Sequence, residues 1–206
     1  MKNDNFNAEQ VFQQAMQAYQ SGNLGLAEVM MRQVVEQIPE NDGVLTTLGG
    51  ILLASQKVEE GINYLQQAIK INPQNIDAQT NLAIAYQGIG QIEQSLSSFE
   101  QLVSLAPNRA DIHFNYANIL LQTQQYDKAI ATLQNIVAFQ PQFAQAYQTL
   151  ATVYAFRQEV EQAATMYQKI LDFAPDDMNT IANLGNLYAD HGLAEKAIAT
   201  YQSGID

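Results

Sequence analysis

The side chains able to do chemistry in this chain are few. His113 and His191 are the only histidines and cysteine is absent. No HExxH pair, glycine-rich phosphate loop or serine–histidine–acid set accompanies them. The adjacent carboxylates Glu59–Glu60 and Asp176–Asp177 read as helix-start acids, drawn to the positive end of a helix. The residue type that recurs with a spacing is instead the carboxamide. Asn81, Asn115 and Asn183 stand on a 34-residue step with Thr149 filling the gap, and Asn118, Thr152 and Asn186 repeat the step. A carboxamide donates and accepts together, so a column of them suits the backbone of an extended polypeptide. The chemistry on offer is recognition, without catalysis, a cofactor or a metal.

Something must hold those residues at a constant interval. All five prolines, Pro39, Pro73, Pro107, Pro141 and Pro175, share the 34-residue step, the mark of a repeat array. With proline at position 32 the repeats begin at Ala8, Asp42, Ile76, Ala110, Ala144 and Met178. Position 8 is small throughout (Ala15, Gly49, Ala83, Ala117, Ala151, Gly185), and so is position 20 (Ala27, Gly61, Ser95, Ala129, Ala163, Ala197). Position 24 is large and apolar (Met31, Leu65, Phe99, Leu133, Tyr167, Tyr201). Apolar residues at positions 4, 7 and 11, and again around 24, 27 and 31, have helical spacing. Each repeat therefore reads as helix A over positions 1–14 and helix B over 17–30, with proline closing helix B. His113 falls at position 4, inside a helix-A packing stripe, and His191 in a turn. Lying in repeats too far apart to share a metal, the two histidines form no site.

These columns resemble the tetratricopeptide repeat, best in the sixth unit, where NLGNLY (Asn183 to Tyr188) precedes Gly192 and AEKAIATYQ (Ala194 to Gln202). The resemblance implies an all-α fold, a right-handed superhelical α-solenoid of helix-turn-helix repeats. It assigns residues 1–7 to an N-terminal leader and 8–206 to one solenoid with repeats 8–41, 42–75, 76–109, 110–143, 144–177 and an incomplete 178–206. It also implies that helix A lines a concave groove through positions 2, 5, 6, 9, 12 and 13. The groove residues are then Asn81, Asn115, Asn118, Asn183, Asn186 and Thr149 as backbone partners, Phe114 and Leu121 as apolar anchors, and Asp77 and Asp111 as acids. The asparagine column is similar to the ladder in the repeat arrays of O-GlcNAc transferases. Tryptophan is absent at position 4, and position 27 is bulky in Leu102, Ile136 and Ile170.

Charge narrows the partner. Nine basic residues stand against 21 acidic ones, a net charge of −12. That disfavours nucleic acid, whose affinity rests on lysine and arginine at phosphates, and anionic membranes likewise. No stretch is long and apolar enough for a membrane span, and MKNDNFNAEQ lacks a secretory h-region, so a cytoplasmic protein is expected. None of the basic residues falls at a groove position, whereas family members that clamp Hsp70 or Hsp90 carboxylate tails use lysine and arginine there. The groove should prefer a neutral or basic protein segment. The expected function is a non-catalytic interaction scaffold. Two other readings stay open: the substrate-recognition arm of a larger enzyme such as a glycosyltransferase, and a scaffold that self-associates through an uncovered last helix pair, since the sequence stops at position 29 of its sixth repeat.

Overall fold

The computed structural model describes residues 7–204. The leader expected over 1–7, apart from Asn7, and the last two residues of the incomplete repeat lie outside them. Six helix pairs follow one another: α1 (Ala8–Gln20) and α2 (Leu24–Gln37), α3 (Asp42–Ala54) and α4 (Val58–Ile71), α5 (Ile76–Gly88) and α6 (Ile92–Leu105), α7 (Ala110–Gln122) and α8 (Tyr126–Phe139), α9 (Ala144–Phe156) and α10 (Val160–Leu171), α11 (Met178–Asp190) and α12 (Ala194–Gln202). The fold is an all-α helical repeat of the solenoid class. By packing, the chain divides into unit 1, Met1–Ala106, and unit 2, Pro107–Asp206.

The repeat register sets the helix bounds. Every A helix begins at position 1 and runs 13 residues. The first four B helices run from position 17 for 14 residues and stop two residues before a proline. Asn7, Asn41 and Asn75 start α1, α3 and α5, each accepting a hydrogen bond from a first-turn N–H, the usual work of an N-cap asparagine. Each A helix closes in the same six-to-one turn: the N–H of position 16 donates to the carbonyl of position 11, as in Lys57 to Leu52 (2.9 Å) and Gln125 to Leu120 (2.8 Å). That turn needs a left-handed residue at position 15. Gly22, Gly90 and Gly192 supply it, but Gln56, Gln124 and Gln158 hold φ near +60° (62°, 59°, 64°) without that freedom.

Small residues bring the two helices of a repeat together, and large ones fill the space beyond. In repeat 2 the glycines of α3 and α4 face each other so closely that a Cβ on Gly61 would lie 3.0 Å from the Gly49 carbonyl. In repeat 3 the Ser95 hydroxyl donates to the Ala83 carbonyl at 2.7 Å, so the buried serine is satisfied. Position 24 is sealed in Met31, Leu65, Phe99 and Leu133, each 0 % exposed. Unit 1 centres on Met31, Val34, Leu48 and Leu52 and continues through Leu45, Leu65 and Ala78. Unit 2 holds Leu133, Ile136 and Leu150 in one cluster and Tyr147, Tyr167, Ile170 and Leu184 in another.

Polar ties join consecutive repeats. The buried Glu28 of α2 accepts from Lys57 Nζ at 2.7 and 2.9 Å and from Arg32, which also reaches Glu60 of α4 at 2.8 Å. Lys57 first, with Arg32 after it, holds the Glu28 carboxyl below the ordinary glutamate range. In unit 2 Arg157 bridges to Asp127 of the preceding repeat at 2.7 Å.

His113 is buried in α7, edge-on to Phe139 with centroids 5.7 Å apart, and its Nε2 finds no partner among the described residues. Burial pushes its pKa down, and a hydrogen bond to the Pro107 carbonyl opposes this in part. Protonation is therefore easier in the unfolded chain, where histidine titrates near 6.5. Stability should be full above that pH and fall as pH drops below it towards the lower folded value. His113→Phe should flatten this limb of a pH series of urea melts between about pH 5 and 7. An unchanged slope would show that His113 binds its proton equally well in the folded and unfolded chains.

Candidate functional site

In unit 1, a hollow of about 660 Å³ opens among the first turns of α1, α3 and α5. Its apolar wall is Phe12, Val34, Ile38 and Val44, and its polar wall is Glu9, Asp77, Asn75, Thr46 and Thr47. The repeat explains its place. Position 2 carries a carboxylate in α1 (Glu9) and α5 (Asp77) but Gly43 in α3, so a side chain is missing between two acidic neighbours. One wall is fixed by hydrogen bonds: Asp42 Oδ2 accepts from the amides of Asn72 and Asn75, each at 2.8 Å, and Asn75 also reaches Thr46 Oγ1 at 3.0 Å. Asn72 and then Asn75 lower the Asp42 pKa, so this carboxylate stays charged in mild acid. Further along α5, Asn81 is half-buried, and its amide nitrogen would lie 3.6 Å from a Cβ on Gly50. Position 6 of one A helix thus sits beside position 9 of the A helix before it.

In unit 2 the expected groove residues divide by what already holds them. Asn115, Asn118 and Asn183 are half-buried, and no hydrogen bond ties their carboxamides, or that of Asn81, to other described residues. Thr149 Oγ1 donates to the Gln145 carbonyl at 2.8 Å. Asn186 Oδ1 accepts from the Tyr201 hydroxyl at 2.7 Å, and Thr152 pairs with the Tyr167 hydroxyl, which burial pushes to a higher pKa. A tyrosine at position 24 therefore engages position 9 of its own repeat. Leu133 cannot, and Asn118 in that repeat is left open. Tyrosine against leucine at position 24 was the sequence signal for this difference.

Phe114 is half-buried against Phe143, 5.5 Å between centroids, and packs on the Leu133–Ile136–Leu150 cluster; Leu121 is half-buried as well. Asp111 is gripped by Arg109 through two bonds of 2.9 and 2.7 Å, which holds its carboxyl below the aspartate range. Arg109 lies outside the groove positions, yet two residues suffice to bring its guanidinium onto one of them. An arginine at the cap position, two before an acid in the first turn, was the legible signal. Phe156, at position 13, is 68 % exposed and touches Tyr126, with centroids 5.5 Å apart.

Among the described residues no cluster of three or more histidine, aspartate or glutamate side chains is arranged for a metal, and no helix is long and apolar enough to cross a membrane.

Family models described as tetratricopeptide repeats match residues 49–90, 90–153 and 144–177. Solved structures with the same fold include PilW, a widely conserved type IV pilus biogenesis factor (TM-score 0.80, 17 % identity, 94 % of this chain and 90 % of that one). MamA from Desulfovibrio magneticus RS-1 matches with a TM-score of 0.67 and 21 % identity over 80 % of this chain and 93 % of that one. YrrB, a repeat protein with an unusual peptide-binding site, matches with a TM-score of 0.62 and 19 % identity over 85 % and 90 %. No curated protein matches the sequence.

Proposed function

The chain belongs to the tetratricopeptide repeat family, and from that premise we propose that it is a non-catalytic scaffold that holds an extended segment of a protein partner along its A helices. The family and the fold support the scaffold role. The observation that carries the finer reading is that Asn81, Asn115, Asn118 and Asn183 keep half-buried carboxamides with no hydrogen bond to another described residue, while Thr149 and Asn186 are engaged within their own repeats. A half-buried amide without a protein partner is well placed to serve a ligand backbone, because desolvating it unpaired costs about 1–3 kcal/mol. The backbone partners are thus Asn81, Asn115, Asn118 and Asn183, with Phe114 and Leu121 as the apolar contacts beside them. The scarcity of cations along the A helices favours neutral or basic segments over carboxylate tails.

The test compares the chain with an Asn81→Ala, Asn115→Ala, Asn183→Ala triple variant as bait in lysate from the source organism. Circular dichroism of both baits controls for folding. A protein retained by the parent and reduced about tenfold or more in the variant is expected, since three amide contacts of about 1 kcal/mol each exceed the 1.4 kcal/mol of one decade. Equal capture by both would remove the asparagine column from the binding surface.

A further inference from the structure

We propose that Tyr201 is a positioning residue of the groove, holding Asn186 so that its N–H groups, and not its oxygen, face the bound segment. Repeat 6 then reads a backbone carbonyl, where repeat 4 can read a whole peptide unit. This rests on the reading of the chain as a scaffold for extended segments, and deepens it by adding a rung that selects one group only.

A carboxamide beside an extended backbone can do two things at once: its oxygen accepts from a peptide N–H, and its nitrogen donates to a peptide carbonyl. Whether it does both depends on what already holds it. Asn118 and Asn186 both occupy repeat position 9, but position 24 of their repeats is Leu133 in one and Tyr201 in the other. Leucine has no polar atom to offer, so the Asn118 carboxamide is free to turn either end outward. Tyr201 donates its hydroxyl to Asn186 Oδ1 at 2.7 Å. With the oxygen drawn to the phenol, the nitrogen at the other end of the planar amide carries the N–H groups left for a ligand. Asn186 is exposed, so a partner can reach them.

The phenol is itself seated. Its ring lies on the α11 backbone at Gly185, where an added Cβ would fall 2.7 Å from Tyr201 Cδ1 and closer still to the far edge of the ring. Repeat 5 follows the same rule with a hydroxyl in place of the amide. The single proton of Thr152 goes to the Gln148 carbonyl at 3.0 Å. In its pair with the Tyr167 hydroxyl, threonine therefore accepts and tyrosine donates. In both repeats the tyrosine at position 24 spends its proton on an acceptor at position 9, and that acceptor is the atom a peptide N–H would need.

The experiment uses the isotope-labelled full chain and two synthetic peptides, acetyl-tetraglycine methylamide and acetyl-tetrasarcosine dimethylamide. They carry the same carbonyls, and N-methylation removes every N–H from the second. The side-chain amide signals of the asparagines are followed as each peptide is titrated in. At Asn118 the glycine peptide should bind about fivefold more tightly than the sarcosine peptide, the effect of one hydrogen bond. At Asn186 the two should bind equally. Tyr201→Phe keeps the ring and loses the hydroxyl, and should give Asn186 the fivefold preference of Asn118. Gly185→Val, which displaces the ring with its hydroxyl intact, should do the same. A tyrosine that only packs would leave this ratio unmoved by the loss of one oxygen. A fivefold preference at Asn186 in the parent, no response there at all, or equal binding there in both variants would overturn the assignment. If Asn118 still prefers the glycine peptide in that event, the scaffold reading stands without it. Equal binding of the two peptides at Asn118 would remove the contrast between the repeats and overturn the assignment as well. No shift at Asn115, Asn118, Asn183 or Asn186 with either peptide would overturn the asparagine reading, and the role of Tyr201 with it.

Discussion

Gly49→Val should destabilise unit 1 by roughly 3 kcal/mol, whereas Gly185→Val, at the same repeat position, should cost only about 1 kcal/mol. Proximity by itself would predict the reverse. A Cβ on Gly185 would fall closest of all to its neighbour, the Tyr201 ring, and one on Gly49 would lie 2.7 Å from Leu65 Cγ and 3.2 Å from the Gly61 carbonyl. What decides is whether the neighbour can move. Leu65 is 0 % exposed, and the carbonyl belongs to α4, so added volume at Gly49 must push two helices apart. Tyr201 is 37 % exposed and can swing outward, giving up its hydrogen bond to Asn186, a loss of about 1 kcal/mol. Leaving glycine recovers at most about 1 kcal/mol of helix propensity, too little to offset the Gly49 clash. For a unit of this size the Gly49 change should lower Tm by more than about 10 °C. Urea and thermal melts of both variants decide it. A larger loss at Gly185 would mean that contact distance, and not the freedom of the neighbour, governs these helix pairs.

Replacing Gln56, Gln124 and Gln158 together by glycine should stabilise the protein by roughly 1.5–3 kcal/mol. All six A helices close through a left-handed residue at position 15, and three of them use glutamine. A side chain there costs about 1–2 kcal/mol. Glycine removes that strain but enlarges the unfolded ensemble, returning about 0.4–1 kcal/mol, which leaves a gain of roughly half to one kcal/mol per site. The three glutamines are exposed and lie in different repeats, so their effects should add. Conversely, glutamine at Gly22, Gly90 and Gly192 should destabilise by a similar sum. A triple variant no more stable than the parent in urea would show that the turn tolerates glutamine through contacts that glycine forfeits.

Helix bounds were legible because they are local and repeated six times. Proline at position 32, small residues at 8 and 20 and a large residue at 24 act within one helix pair, and each A helix begins where the register places it. The glutamine turns were less legible. Position 15 is glycine in three repeats and glutamine in the other three, so its common backbone shape is disguised by a residue that does not prefer it. The binding surface was legible as columns, but each column is uneven in what surrounds it. Asn118 and Asn186 share a position, yet Asn186 meets a tyrosine hydroxyl where Asn118 faces a repeat whose position 24 is Leu133.

From its sequence alone, this chain fixes its period, its helix pairs, its family and its shortage of cations, because each is carried by residues within one repeat or by composition. Tertiary structure decides which of those residues remain available to a partner. Asp42 meets Asn72 and Asn75 across a whole repeat, Glu28 meets Lys57 of the next one, and the hollow exists because Gly43 leaves a gap between Glu9 and Asp77. Such pairings depend on side chains from neighbouring helices arriving within a few ångströms of one another, a distance that no spacing along a single chain contains.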